Sequence, residues 1–179
     1  MKYLKSLSKR GVHVRILTNS LKSNDVLAAY AGYNTYRMDM LRDGIDLHEL
    51  RDDAGTSKII NQAPVKGDVR SGLHAKIMVF DEKDVFVGSF NLDPRSSVIN
   101  TESGLYVNSP ALAKKIIAYM NEGIDLKNAY HLKLDKSGHI TWVTVENGKE
   151  VVYSKEPKVS GWDKLKVNMF QLLPFEGQL

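Results

Sequence analysis

Residues 73–91, LHAKIMVFDEKDVFVGSFN, hold two short apolar runs, 73–80 and 84–88, on either side of the polar triplet Asp81-Glu82-Lys83. Apolar runs of this length around a polar triplet predict two neighbouring strands and a tight turn. Successive side chains on a strand point to opposite faces. Leu73, Ala75, Ile77 and Val79 are therefore expected to face a core, and His74 and Lys76 the other side. Two residues along a strand span about 6.5–7 Å, so an imidazole and an ammonium can reach one phosphate group. Ser89 and Asn91, also two apart and after a flexible Gly88, place a hydroxyl and an amide on one side.

These parts form a chemical set: a nucleophile or proton carrier, a fixed cation and two neutral hydrogen-bond donors. Phosphoryl transfer asks for such a set, because its barrier falls mainly through positioning and charge stabilisation. A lone His-x-Lys says little, and the chain supplies its own control. His131-x-Lys133 has the same spacing, but Gly138 stands where the aspartate would be and nothing like Gly-Ser-x-Asn follows. That pair reads as the solvated face of a hairpin strand.

Upstream, Tyr3, Leu4 and Leu7 mark the end of a helix stopped by Gly11. Residues 12–17 alternate as a strand, with Thr18-Asn19-Ser20 at its carboxyl end. Those three either border a ligand crevice or form a polar loop before the next helix. Asp25 is the expected cap of a helix over 26–43, and residues 45–50 read as a further strand. Tyr30, Tyr33, Tyr36 and Arg37 crowd that helix, and packing rather than a ligand channel is their expected use. Residues 52–71 have no period and lead into the motif. The strand–helix–strand rhythm predicts a parallel or mixed sheet covered by helices.

Downstream, residues 101–107 read as a strand and 110–122 as a helix, with Pro110 following Ser109. Residues 131–134, 139–145 and 150–153 predict a three-stranded antiparallel meander, its second turn set by Asn147-Gly148. Trp162, Leu165, Met169 and Leu172 fit one helical face before Pro174. The expected fold class is α/β: a mixed sheet flanked by helices, a C-terminal β-meander and a terminal helix. Residues 1–125 are expected to form the functional unit, with 126–179 packing on the same domain.

Apolar residues make up 42% and charged residues 26%, which excludes global disorder. With no cysteine, disulfides, thiolate metal sites and a cysteine nucleophile are excluded. A net charge of +4 and a pI near 9.1 suit phosphate-bearing partners, whether lipid headgroup or nucleic acid. The apolar stretch from Val167 to Phe175 is expected to be buried, a membrane surface being the second possibility.

The segment GLHAKIMVFDEKDVFVGSFNLDPRSSVINTESGLYV, residues 72–107, resembles the signature of the phospholipase D superfamily. Asn91-Leu-Asp-Pro-Arg95 and Asn100-Thr-Glu102 are most similar to bacterial cardiolipin synthases. The flanks RGVHVRILTNSLKSND and LLPFEGQL resemble the second half of such a synthase, so the likeness runs from about residue 5 to 179. It implies a phospholipase D-like fold in which His74 attacks phosphorus to give a phosphohistidine or protonates the leaving alkoxide. It further implies that Lys76, Ser89 and Asn91 hold the phosphate and that Glu102 orients the imidazole. Asp81 completes the catalytic motif, with a structural task at the strand end. No metal or cofactor is implied.

The implied substrate is an anionic phospholipid such as phosphatidylglycerol, met by a peripheral protein on the cytoplasmic face of a bacterial membrane. Nucleic acid is the less favoured substrate. The family uses two such motifs, one from each half, and this chain has one. It is therefore expected to need a missing N-terminal half or a second copy of itself, or else to be a non-catalytic fragment.

Overall fold

The computed structural model of the chain describes residues 2–24, 27–54, 72–91 and 101–172. Asp25, most of 52–71, Asp93-Pro94-Arg95, Asn100 and the stretch beyond Leu172 lie outside the described residues.

Helix α1 (Lys2–Lys9) ends at Gly11, whose φ of 80° is the left-handed turn that glycine adopts without strain. Strand β1 (Arg15–Asn19), helix α2 (Leu27–Arg42) and strand β2 (Asp46–Leu50) follow, and β1 pairs with β2 in parallel. Strand β1 starts later than the alternation of residues 12–17 predicts. Its partner sets the limit: Arg15 pairs with Asp46, the first residue of β2, and Val14 only accepts from the Asp46 amide.

The meander forms as expected, from β6 (Ala129–Leu134), β7 (Ile140–Glu146) and β8 (Lys149–Tyr153). Asn147 and Gly148 both have positive φ, the conformation of a two-residue hairpin turn. Strand β6 also pairs antiparallel with β2, so the meander continues the first sheet in the order β1-β2-β6-β7-β8. This mixed sheet is the α/β architecture the sequence predicts.

One face of that sheet carries Leu47, Tyr130, Leu132 and Trp142, which form the main core with Met40 and Ile45 under α1 and α2. Glu49 points into the same core and is fully buried. Its carboxylate accepts from Arg37 Nη1 at 3.0 Å, Tyr33 Oη at 2.8 Å and Trp142 Nε1 at 2.9 Å. Burial pushes this carboxyl up, and Arg37, Tyr33 and Trp142 pull against that. Arg37 also donates to Tyr30 and Glu156. The tyrosines and arginine of α2 thus serve packing, as expected.

A second, three-stranded antiparallel sheet holds β3 (Lys76–Phe80), β4 (Asp84–Gly88) and β5 (Gly104–Asn108). Helix α3 (Pro110–Gly123), capped by Ser109, packs on β3 and β4. Helix α4 (Gly161–Leu172) packs on α2, with Val167 buried among Leu21, Tyr30 and Ala31. The stripe Trp162, Leu165 and Met169 is not the buried face of α4. These residues are 73%, 52% and 57% exposed.

Candidate functional site

Strand β3 begins at Lys76, so His74 lies in the extended segment that enters the strand rather than within it. What fixes this entry is Asn19 at the carboxyl end of β1. Its Nδ2 donates to the Leu73 carbonyl at 2.9 Å and its Oδ1 accepts from the Leu73 amide at 2.7 Å. An asparagine side chain thereby acts as a strand partner for one residue, next to His74. Farther back, Arg51 and Lys158 grip Asp53 and hold its carboxyl well below the usual carboxylate range. Asp53 and Leu73 are therefore both tied to residues at the carboxyl ends of the first sheet's parallel strands.

The alternation in β3 holds, but its outcome differs from the expected one. Ile77 and Val79 share a face with Val85, Val87, Leu105 and Val107. Helix α3 covers only part of that face, where Val85 and Ala113 are fully buried. Ile77, Val87 and Leu105 remain exposed, Leu105 by 71%. Lys76 lies on the opposite face, paired with Gly88, and its Nζ donates to the His74 carbonyl at 2.8 Å.

Gly88 is needed for space rather than for flexibility. A Cβ there would lie 2.4 Å from the Ser103 carbonyl oxygen and 2.8 Å from Gly104 Cα. Gly104, opposite it on β5, would meet the Phe86 ring at 2.4 Å. Two glycines thus let three strands close tightly under Phe86. The close approach fixes Ser89: its amide donates to the Ser103 carbonyl at 2.9 Å, and its hydroxyl accepts from the Ser103 amide at 3.0 Å. The same hydroxyl donates to Glu102 Oε2 at 2.5 Å.

His74, Lys76, Gly88, Ser89 and Asn91 line one open cavity of about 450 Å³. Four of the predicted site residues are therefore brought together, and Glu102 reaches the group through Ser89. Asp81 stands elsewhere, in the β3–β4 turn at the far end of the strand, where it and Glu82 have positive φ. An imidazole, an ammonium, a hydroxyl and an amide around one open cavity can bind a tetrahedral oxyanion from one side.

Sequence reasoning left Asn19 open and missed Ser103 and Gly104. The polar triplet at the end of β1 was the signal for Asn19. Nothing in the sequence marks Ser103 and Gly104 beyond their place within the strand predicted over residues 101–107.

Residues 1–124 match the family described as "Cardiolipin synthase, PLD-like domain". The chain is similar to cardiolipin synthase C of Escherichia coli (strain K12), with 40% identity over 169 residues, 94% of this chain and 35% of that protein. It is also similar to uncharacterized proteins of two Helicobacter pylori strains, at 32% identity over 174 residues, 97% of this chain and 33% of each. The chain spans about a third of the length of these relatives.

Proposed function

Because the chain belongs to the cardiolipin synthase, PLD-like domain family, we propose that it supplies one half of a phosphatidyltransferase site. One observation carries this reading: His74, Lys76, Ser89 and Asn91 line the same cavity, with Gly88 beneath them. In the proposed reaction one histidine attacks the phosphorus of a phosphatidyl diester. A P–N bond forms and the P–O bond to the leaving alkoxide breaks. A second histidine gives that alkoxide its proton. The same histidine then takes the proton of an incoming glycerol hydroxyl, whose oxygen displaces the phosphohistidine and yields cardiolipin from phosphatidylglycerol. His74 fills one of these two roles. Lys76, Ser89 and Asn91 hold the non-bridging oxygens, where charge builds in the transition state. Glu102 acts on the site through Ser89 and the imidazole.

The second histidine comes from outside this chain, from an N-terminal half or a second copy. Two facts support that reading. The chain corresponds to about a third of its relatives, and the Ile77, Val87 and Leu105 face is apolar and uncovered among the described residues. We place 1–125 as the catalytic half and 126–179 as its C-terminal extension, acting at the inner face of a bacterial membrane. No helix among the described residues is long and apolar enough to cross a membrane.

The test pairs sedimentation with two assays, cardiolipin formation from phosphatidylglycerol vesicles and cleavage of single-stranded DNA. Cardiolipin formation that disappears in His74→Ala, by a dimer or by the chain completed with its other half, is the expected result. DNA cleavage without any lipid product overturns the lipid reading in favour of a nuclease, which the basic pI would suit. Inactivity on both substrates by the completed site overturns the enzyme reading.

A further inference from the structure

His48 on β2 and His131 on β6 are direct cross-strand partners, and their rings stack at 4.5 Å with an interplanar angle of 17°. Both Nε2 atoms converge on one carboxylate oxygen. Asp46 Oδ1 lies 2.9 Å from His48 Nε2 and 3.0 Å from His131 Nε2. The three ligand atoms all lie within 4.8 Å of one another. Two ligands bound to one tetrahedral ion at about 2.0 Å each are separated by about 3.3 Å, so small rotations suffice to admit a metal. His13 stands at the rim, its Nε2 3.8 Å from Asp46 Oδ2, on a side chain 74% exposed and able to swing.

Asp46, His48 and His131 lie at the start of β2 and along β6, on the sheet face opposite the main core. Asn19 and Leu50 are at the other end of β1 and β2, so this cluster is separate from the His74 cavity. His48 is nearly enclosed, at 7% side-chain exposure, whereas Asp46 and His131 remain open to solvent at 25% and 29%. An ion therefore has an entry path and a rigid seat. His131 thus departs from the reading of residues 131–133 as a solvated strand face. Strand β2 pairs with β6, His48 stacks on His131, and only Lys133 of the pair is left exposed.

We propose that Asp46, His48 and His131, with His13 available as a fourth donor, form a binding site for a divalent transition-metal ion of the Zn²⁺ class. Two imidazoles and one carboxylate select such ions over Mg²⁺ and Ca²⁺, which need mostly oxygen ligands. The charges facing the cluster argue the same way. Arg15 acts on His48 and Lys133 on His131, which disfavours a hard cation held by charge alone. Burial pushes both imidazoles below the usual histidine range, while Asp46 pulls them up. Buried His48 Nδ1 has no hydrogen-bond partner, so this ligand lacks outer support and the site should bind less tightly than a fully braced one.

The experiment uses the untagged 179-residue chain. Titration with Co²⁺ is followed by visible absorption, and Zn²⁺ binding by calorimetry. One equivalent of Co²⁺ should give a d–d spectrum that Zn²⁺ displaces. Asp46→Asn and His131→Gln should each weaken binding by at least about tenfold, His13→Ala by less, and His74→Ala not at all. Far-UV circular dichroism establishes that each variant is folded, and isosteric Asp46→Asn reports even if the histidine variant is not. A wild-type chain that gives no Co²⁺ spectrum overturns the proposal. So does binding that survives Asp46→Asn, or that follows His74 instead.

Discussion

Asn19 and Leu73, 54 residues apart, are joined by two hydrogen bonds, one donated by the Asn19 side chain and one accepted by it. The pair joins the carboxyl end of β1 to the residue before His74. In the proposed reaction, which depends on positioning, this clamp on Leu73 acts through the neighbouring His74 and not on substrate. Asn19→Ala is expected to lower kcat by about 10- to 100-fold with a much smaller change in KM. Asn19→Asp keeps the acceptor but sets a carboxylate oxygen against the Leu73 carbonyl, so it should not restore the rate. Steady-state kinetics of the completed enzyme, with circular dichroism for the fold, checks both. Equal losses in kcat and stability across the two variants would reduce Asn19 to a structural role.

Gly88 and Gly32 make a controlled comparison. A methyl at Gly88 meets backbone at 2.4 Å, and backbone cannot step aside as a side-chain tip can. Gly88→Ala should therefore destabilise the chain by about 1–3 kcal/mol and displace Ser89 from the cavity. Gly32 lies within α2 with nothing within 4 Å of an added Cβ. Gly32→Ala should stabilise by about 0.5–1 kcal/mol through helix propensity alone. Thermal unfolding of the two variants should move in opposite directions.

The comparison also shows what a sequence can carry. The apolar runs of β3 and β4, Asn147-Gly148 and Ser109-Pro110 encode their local structures within a few residues, so hairpins and a helix start were legible. The spacing of His74, Lys76, Ser89 and Asn91 was legible for the same reason, since a strand's period is local. Where distant segments meet, the sequence is silent. His131 looked solvated because nothing near it announces that β6 lies against β2. Trp162, Leu165 and Met169 share one helical face by their period, yet α4 leaves that face in solvent and turns Val167 inward. The purpose of Gly88 was misread for a related cause: its neighbours in space are Ser103 and Gly104, where another strand begins.

Acid should loosen the seat of α4. Ser160 and Asp163 cap the helix reciprocally: the Ser160 amide donates to Asp163 Oδ2 at 2.9 Å, and the Asp163 amide donates to Ser160 Oγ at 3.2 Å. Lys22 Nζ adds an ion pair at 2.7 Å that fastens the cap to the loop after β1. Lys22 and the Ser160 donors hold the Asp163 carboxyl well below the usual carboxylate range. A group depressed in the folded state stabilises fully above its unfolded value of 3.8, and that contribution is lost as pH falls from there through the folded value. Asp163→Asn should cost about 1 kcal/mol at pH 7 and progressively less below pH about 4. Denaturant unfolding of both proteins across this window tests the sign. A difference that grows in acid would contradict it.

The exposed stripe of α4 separates membrane contact from protein contact. Trp162, Leu165 and Met169 recur at helical spacing on the outer side of α4, while Val167 anchors the inner side against Leu21, Tyr30 and Ala31. Single exposed apolar residues are ordinary, but three in line on one helix form a continuous patch with an indole at its end. On the proposed reading, taking phosphatidylglycerol from a bilayer requires such a foothold, and tryptophan suits the headgroup boundary. Wild-type chain should co-sediment with phosphatidylglycerol vesicles, and its tryptophan emission should shift to the blue as Trp162 leaves water. Leu165→Glu and Met169→Glu should each weaken this binding without lowering thermal stability, because both side chains are already in solvent. Vesicles of neutral phosphatidylcholine gauge how much of the affinity comes from the basic charge of the chain, which salt should screen. If neither vesicle shifts the emission while the glutamate variants lose activity in a site completed by a second half, the stripe is a protein interface rather than a bilayer contact.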